Sequence, residues 1–258
     1  MGFLSDLVAE RRRALGREPL DDSAVLARAM ALPPTRDFVG ALRARSPAVI
    51  AEVKRASPSA GAIADRDPSE QARAYASGGA AAISVLTEAI HFRGSLADLR
   101  AARTACDLPI LRKDFLIHPA EVIESRAAGA DAVLLIAACL SMGELVAMLG
   151  AARDLGLGAL VEAHSDEDLE KALATDAVVI GVNARDLETL EVDVPRALAH
   201  LGRVPTGRIA VMESGMSTHA HVRAAVDAGA SAILVGETLM RADDPGAKLR
   251  ELVGEETG

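Results

Sequence analysis

The sequence predicts an α/β fold, a (β/α)8 TIM barrel with an N-terminal helical extension. The first observation is a series of eight short apolar runs that alternate with helix-like segments, roughly 20 to 32 residues apart, the size of one strand–helix unit. The second is a composition with 50% hydrophobic and only 2% aromatic residues, which suits parallel strands buried on both faces. The runs span residues 48–54, 80–86, 109–113, 130–136, 157–162, 177–182, 208–213 and 231–235.

A repeated joint between helix and strand supports this series of units. A glycine just past a helix end accepts the left-handed backbone of a C-cap. Such a glycine precedes four of the apolar runs, at Ser77-Gly-Gly, Ala128-Gly, Leu155-Gly and Ala228-Gly. Eight units could also form a doubly wound sheet, but no Gly-x-Gly-x-x-Gly follows the first run, which weakens that alternative.

We expect all 258 residues to form a single TIM-barrel domain. Residues 1–47 are the N-terminal helical extension, residues 48–253 the barrel, and residues 254–258 a frayed tail. A second helix in the extension should contain Asp37 to Leu42, with Thr35 as its cap. The extension could cover the barrel bottom or contribute to the ligand mouth, and both alternatives stay open. Its first helix should present one apolar face, formed by Phe3, Leu4, Leu7, Val8 and Leu15.

Charge and cysteine usage exclude several classes of function. The formal net charge of −9 argues against nucleic acid as a partner, since that would need a basic face. The longest apolar stretch, residues 132–140, is far too short to span a membrane. Cys106 and Cys139 are isolated, as expected for a cytoplasmic protein without disulfides. The six histidines are scattered, so we predict no metal site, and nothing in the sequence indicates an oligomeric state.

The functional site is expected at the carboxyl ends of the strands, where the sites of such barrels lie. Charged and polar residues close most of the predicted strands there. A charge that ends an apolar strand costs free energy unless it is paired, so these side chains should compensate one another. A purely structural salt-bridge network is the alternative interpretation. The residues are Glu52, Lys54, Lys113, Glu162, Asn183, Arg185, Glu213 and Glu237.

Two lysines stand out because the chain has only four lysines against twenty-four arginines. Lys54 and Lys113 both end apolar runs. Arginine stays protonated, whereas a lysine can release and recover a proton, so these positions are candidates for chemistry. Burial beside Lys54 would lower the pKa of Lys113, while Glu162 and Glu52 would raise it. The balance between these effects stays open at this point.

An anion site is indicated after the last two strands. Ser214-Gly215 and Gly236-Glu237 both lead towards helices. Glycine lets backbone N–H groups approach an oxyanion, and these two loops are the usual phosphate site of such barrels. Turn geometry alone is the alternative reason for either glycine. The predicted partner is therefore a small phosphorylated molecule.

These motifs together resemble the indole-3-glycerol phosphate synthase family. The resemblance covers residues 36–241 in order and includes every predicted strand. The motifs that carry it include Glu52-Val-Lys54-Arg-Ala-Ser57-Pro58, Leu111-Arg-Lys113-Asp-Phe115, Leu160-Val-Glu162, Gly181-Val-Asn183-Ala-Arg185, Glu213-Ser214-Gly215 and Gly236-Glu237.

The resemblance implies a carboxy-lyase of tryptophan biosynthesis. The substrate would be 1-(2-carboxyphenylamino)-1-deoxyribulose 5-phosphate, and the products indole-3-glycerol phosphate, carbon dioxide and water, with no cofactor or metal. It also implies residue roles. Lys113 would be the general acid, and Lys54 would hold the substrate carboxylate and help to position the phosphate. Glu162 and Glu52 would share the later proton transfers, in an undecided division.

The remaining site residues follow from the same resemblance. Asn183 would orient the substrate hydroxyls and ring. The substrate-binding wall would comprise Arg55, Ser57, Pro58, Phe92, Phe115, Leu134, Arg185, Leu187 and Glu213. The phosphate-binding group would comprise Lys54, Ser214, Gly215, Gly236 and Glu237.

Two alternatives of other kinds remain. The first is a sister phosphate-binding barrel enzyme, such as thiazole synthase, phosphoribosylanthranilate isomerase or the tryptophan synthase α subunit. These would share the phosphate loops but not Glu52-x-Lys54 together with Lys113-Asp-Phe. The second is a barrel that binds a phosphometabolite without catalysis. Loss of Lys113 or Glu162 would favour it, and both residues are present.

Overall fold

The computed structural model describes residues 2–15 and 22–255. Eight parallel strands form a closed barrel in which each strand pairs with the next along the chain and the eighth returns to the first. Ala48 aligns with Ala232 where the barrel closes. The predicted fold class is therefore confirmed. The strands are β1 (Ala48–Val53), β2 (Ala82–Leu86), β3 (Ile110–Lys113), β4 (Ala132–Ile136), β5 (Gly158–Ala163), β6 (Val179–Asn183), β7 (Ile209–Glu213) and β8 (Ala232–Val235).

Helices surround the barrel, and their ends match the signals in the sequence. Ser95, Ser141, Ser165 and Thr218 each accept a hydrogen bond from a backbone N–H in the first turn of the helix that follows. The barrel helices are α4 (Pro68–Ser77), α5 (Leu96–Ala105), α6 (Pro119–Ala128), α7 (Met142–Asp154), α8 (Asp166–Leu173), α9 (Val194–Leu201), α10 (His219–Asp227), α11 (Glu237–Met240) and α12 (Pro245–Val253).

The predicted glycine joints are present in the backbone. All four joints have a glycine with positive φ, a conformation that costs a side-chain-bearing residue free energy. Their φ values are 95°, 96°, 70° and 108° at Gly79, Gly129, Gly156 and Gly229. These turns let each following strand begin at the same end of the barrel, so the carboxyl ends of the strands meet at the other end.

The N-terminal extension reaches both ends of the barrel. It forms α1 (Phe3–Leu15), α2 (Asp22–Ala31) and α3 (Phe38–Arg43). Phe38 of α3 is buried and packs against Gly158 at the amino end of β5, which closes the barrel bottom. Helix α1 lies at the opposite end, where the backbone N–H of Leu4 donates to Leu187 O. Each of the two open alternatives thus holds for a different helix.

Two details of the extension differ from the prediction. Asp37, not Thr35, caps α3 and accepts a hydrogen bond from Gly40 N at 2.8 Å. Thr35 instead donates its hydroxyl to Gly156 O, since it faces the joint before β5. Helix α2 was not predicted, and it packs on α6.

The first two residues after α12 are still hydrogen-bonded to that helix. Gly254 caps the helix with φ 80°, and Glu255 N donates to Arg250 O. The remainder of the predicted frayed tail, residues 256–258, lies outside the described residues. Within the described part of the chain, no helix is long and apolar enough to cross a membrane.

Candidate active site

A cavity of about 410 Å³ opens at the carboxyl ends of the strands. All predicted site residues except Arg55 line it. The barrel brings them together because most of them lie at or just after the carboxyl end of a strand. A short hairpin in the loop after β1, formed by Ala56–Ser57 and Gly61–Ala62, places Ser57 and Pro58 at the mouth.

Lys113 stands between two glutamates at the centre of the cavity. Its Nζ lies 2.8 Å from Glu162 Oε2 and 2.9 Å from Glu213 Oε2. Both carboxylates are buried, with side chains 2% exposed. The other oxygen of Glu213, Oε1, is buried without a hydrogen-bond partner among residues 2–15 and 22–255. This trio is the main charged group of the cavity.

The charges of the trio shift its pKa values in different directions. Burial disfavours the ammonium of Lys113, but the carboxylates of Glu162, Glu213 and Glu52 outweigh it and hold the pKa of Lys113 above its ordinary value. This settles the balance that the sequence left open. Burial would raise the pKa of Glu162, yet Lys113 and Asn183 hold it below its usual value. Burial, and next the charge of Glu162, raise the pKa of Glu213.

Glu52 and Lys54 form a second pair at the carboxyl end of β1. Lys54 Nζ lies 2.9 Å from Glu52 Oε1. The side chain of Glu52 is 4% exposed and that of Lys54 is 17% exposed, so the ammonium is the more accessible group. Lys54 can therefore meet an anion that enters the cavity, while Glu52 supports it from below.

The residues that follow β6 extend this network. Asn183 Nδ2 donates to Glu162 Oε1 at 3.0 Å, and Asn183 Oδ1 accepts from Ser214 Oγ at 2.8 Å. Arg185 N also donates to Asn183 Oδ1, and its guanidinium donates to Leu190 O. Asn183 thus links the trio to the loop after β7 and keeps a fixed orientation.

The loops after β7 and β8 lie side by side at one side of the cavity. The backbone is left-handed at both Ser214 and Gly215, with φ 65° and 76°. Thr238 Oγ1 donates to Met216 O at 3.0 Å and ties the two loops together. Glu237 turns its carboxylate towards Arg241, whose Nε lies 2.9 Å away. At this side of the cavity, the backbone of Glu237 rather than its carboxylate is therefore available to a ligand.

The opposite side of the cavity is apolar. The ring centroids of Phe92 and Phe115 lie 6.0 Å apart. Leu134 and Leu187 were predicted here and also line the cavity. Sequence reasoning missed Phe3 on this side, and it also missed Leu190 and Val192, of which Val192 lies beside Gly215. They do not end a strand, and only the apolar face of α1 pointed to Phe3.

Arg55 is the predicted substrate-binding residue that the structure places elsewhere. Its Nη1 lies 2.6 Å from Asp98 Oδ2 and its Nε lies 3.3 Å from Asp65 Oδ1. Neighbouring side chains in an extended segment point to opposite sides, so Arg55 turns away from the cavity that Lys54 enters. The structure therefore does not bring Arg55 into the lining of the cavity, and its contact with the substrate stays a prediction.

Gly236 leaves the space that the Glu52 carboxylate occupies. A Cβ at this position would overlap Glu52 Oε1. We expect Gly236→Ala to displace Glu52 and Lys54 and to lower kcat/KM by about 100-fold, as misplacement near a reacting centre does. Steady-state kinetics checks this expectation. The control is Gly143→Ala in α7, where nothing lies within 4 Å of the new Cβ. Gly143→Ala should have the kcat/KM of wild type. Equal kcat/KM values for Gly236→Ala and Gly143→Ala would contradict this role of Gly236.

No metal-binding group is formed by the described residues. Within residues 2–15 and 22–255, no three His, Cys, Asp or Glu side chains are placed to hold an ion. Arg112 of β3 and Asp114, which follows that strand, pair with each other at 3.0 Å.

Fold and cavity together define the class of protein. The chain is a closed (β/α)8 barrel with buried ionisable side chains at the carboxyl ends of its strands and glycine-containing loops after β7 and β8. These features define a barrel enzyme for a small phosphorylated substrate. Solved structures agree on the fold. The chain is similar to 3-hexulose-6-phosphate synthase, with TM-score 0.64, 18% identity and coverage of 81% of this chain and 100% of that chain. The chain is also similar to a mutant tryptophan synthase α-subunit from a hyperthermophile, Pyrococcus furiosus. The TM-score is 0.61 and the identity 15%, and the match covers 81% of this chain and 99% of that chain.

Sequence comparison gives the particular family. The family model of indole-3-glycerol phosphate synthase matches residues 4–252. The chain is 50% identical over 262 residues to the indole-3-glycerol phosphate synthase of Nocardioides sp., with 100% of both chains covered. It is 48% identical over 260 residues to indole-3-glycerol phosphate synthase 2 of Streptomyces coelicolor, covering 98% of this chain and 99% of that protein. The chain belongs to the indole-3-glycerol phosphate synthase family. This confirms the resemblance and the predicted function as a carboxy-lyase of tryptophan biosynthesis.

Proposed function

We propose that Lys113 is the general acid by which this chain forms the indole ring of indole-3-glycerol phosphate. The substrate is 1-(2-carboxyphenylamino)-1-deoxyribulose 5-phosphate, which loses carbon dioxide and water. The observation that supports this proposal best is the ammonium of Lys113 held between Glu162 and Glu213, at 2.8 and 2.9 Å. Its raised pKa keeps the group protonated until a substrate oxygen accepts its proton.

The two sides of the cavity suit the two ends of this substrate. The phosphate would bind the backbone of the loops that contain Ser214-Gly215 and Gly236-Glu237. The aryl ring would lie against Phe92, Phe115 and Leu187, since the transfer of an apolar ring out of water is favourable. Lys54 would meet the aryl carboxylate and help to neutralise the phosphate. Lys113 then lies between these sites, where the ribulose carbonyl must be.

Ring closure begins when the aryl carbon that bears the carboxylate attacks the ribulose carbonyl carbon. Lys113 donates a proton to the carbonyl oxygen, which becomes a hydroxyl group. The carbon–carboxylate bond then breaks and carbon dioxide leaves. The new hydroxyl departs as water after a second protonation, while a ring proton is taken up by a carboxylate. Glu162 is placed for these later transfers because it can exchange a proton with Lys113 at 2.8 Å.

The other residues of the cavity support these steps. Asn183 orients the substrate hydroxyls, and Arg185 with Ser57 completes the polar wall. Glu52 fixes Lys54 and shares the acid–base work of Glu162. As part of the same proposal, the reaction uses no metal or cofactor and takes place in the cytoplasm, without nucleic acid as a partner. The acidic charge of −9 supports the last point.

A direct assay tests the proposed function. Purified protein, treated with a chelator and given no flavin, should convert the carboxyphenylamino-deoxyribulose phosphate to an indole product that is detected by its absorbance and by mass. Release of carbon dioxide should match the indole product mole for mole. Tight binding of the substrate without any product between pH 5 and 9 would instead favour a non-catalytic phosphometabolite-binding barrel.

A further inference from the structure

Arg11 of helix α1 bridges two carboxylates beside the active site. Its Nη1 lies 3.0 Å from Asp114 Oδ1, and its Nη2 lies 2.8 Å from Glu121 Oε1. The side chain of Arg11 is 25% exposed, whereas those of Asp114 and Glu121 are 3% and 8% exposed. A two-pronged pair with buried carboxylates fixes orientation far better than a surface ion pair does.

Both carboxylates are themselves held rigidly. Asp114 accepts hydrogen bonds from Thr87 Oγ1 at 2.6 Å, Arg112 Nη2 at 3.0 Å and Phe115 N at 2.8 Å. Glu121 Oε2 accepts from the backbone N–H groups that precede α6. Arg11 therefore docks α1 onto a fixed turn that starts one residue after Lys113.

The other end of α1 reaches the apolar side of the cavity. The ring of Phe3 meets the ring of Phe115 edge-on, with centroids 6.2 Å apart, and that of His91 at 4.9 Å. The backbone of Phe3 and Leu4 donates to the loop after β6, at Glu188 O and Leu187 O. Helix α1 thus crosses the mouth from the turn after β3 to the loop after β6, and Phe3 closes the apolar side.

We propose that Arg11 is a positioning residue that holds α1, and through it Phe3, against the aryl-binding side of the cavity. Arg11 does not line the cavity, so it acts through Phe3 and Phe115 rather than on the substrate. This inference rests on the proposed function, because it assigns the apolar side to the aryl ring. It predicts a selective effect on the aryl end of the substrate, with the phosphate loops unaffected.

Steady-state kinetics with two probes tests the proposal. Arg11→Ala should raise KM for the substrate by about tenfold, the effect of losing one ordered aromatic contact. The inhibition constant of inorganic phosphate, a probe of the opposite side, should stay within about twofold of wild type. The matched control is Arg13→Ala, on an exposed arginine of the same helix whose Nε donates to Ala9 O of that helix. Its kinetics should equal those of wild type.

A double-mutant cycle separates positioning from a general loss of structure. Phe3→Ala should raise KM about as much as Arg11→Ala, and the double variant should be little worse than either, because both remove the same contact. Arg11→Lys, which reaches only one carboxylate at a time, should give an intermediate KM and guards against poor folding of Arg11→Ala.

Three results would overturn the proposal. These are an unchanged KM in Arg11→Ala, equal weakening of substrate and phosphate, and fully additive effects of Arg11→Ala and Phe3→Ala. Turnover by wild type and by Arg13→Ala shows that the proposed function holds whichever of these is found. Absence of turnover in wild type would instead refute the proposed function, and the inference with it.

Discussion

Replacement of Lys113 by arginine should reduce kcat by about 1,000-fold, within the range that a positioned general acid contributes. Arginine keeps the positive charge between Glu162 and Glu213, but its guanidinium does not release a proton at any pH at which the protein is folded. The larger planar group would also have to fit a space in which the ammonium lies 2.8 and 2.9 Å from two buried carboxylates. Charge is retained, and proton transfer is lost.

Binding should change much less than kcat in this variant. The phosphate loops and the apolar wall are untouched, so the dissociation constant of the substrate should stay within about tenfold of wild type. Single-turnover kinetics measures binding and chemistry separately. A kcat near that of wild type would show that Lys113 is not the general acid, whereas an equal loss of binding would assign it a role in substrate affinity.

Glu162→Gln should lower kcat by about 100-fold or more and should make stability less dependent on pH. The change keeps the size of the side chain, and Lys113 keeps Glu213 at 2.9 Å. What disappears is the repulsion between two buried carboxylates that face the same ammonium. The ion pair with Lys113 that holds the pKa of Glu162 below its usual value disappears as well, and this loss is the same at every pH between 5 and 8.

The direction in which stability should change with pH follows from the pKa of Glu213. Burial, followed by the charge of Glu162, raises the pKa of Glu213. A carboxyl whose pKa is higher in the folded than in the unfolded state makes the protein less stable as the pH rises from the unfolded pKa through the folded pKa. Removal of the Glu162 charge should lower the pKa of Glu213 and reduce this loss. The Glu162→Gln variant should therefore gain in Tm relative to wild type as pH rises from 5 to 8.

A surface glutamate provides the opposite control. Arg12, followed by the backbone of Ser141, lowers the pKa of Glu144 to about 2, so its charge adds stability above the unfolded pKa, and this stability is lost as pH falls. Glu144→Gln should lower Tm slightly at pH 7 and leave kcat unchanged. A Tm difference between Glu162→Gln and wild type that does not change from pH 5 to 8 would contradict the repulsion that the structure indicates.

The barrel and most of the site could be predicted because they depend on local order along the chain. Parallel strands in a barrel end on the same side, so the positions of Glu52, Lys113 and Glu162 at strand ends were enough to bring them together. The glycine joints predicted the strand starts in the same way. The opposite orientations of Lys113 and its neighbour Arg112 followed from alternation along a strand.

Other features depend on distances that no local pattern contains. Phe3 reaches the cavity from α1, which Arg11 and the loop after β6 hold across the mouth, and these partners are far apart in sequence. The direction of the Lys113 pKa required the competition between burial and three carboxylates at known positions. The pairing of Arg55 with Asp98 and Asp65 could not be predicted, because both acidic partners lie outside the motif that contains Arg55.

The central claim is that the two strand-end lysines have separate tasks, and the most direct test compares Lys54→Arg with Lys113→Arg in one assay of kcat. An anion anchor tolerates arginine, so Lys54→Arg should keep kcat within about tenfold of wild type. Lys113→Arg should lose about 1,000-fold. The account predicts this large difference between two chemically identical changes. Equal losses in both variants, or the greater loss at Lys54, would contradict it.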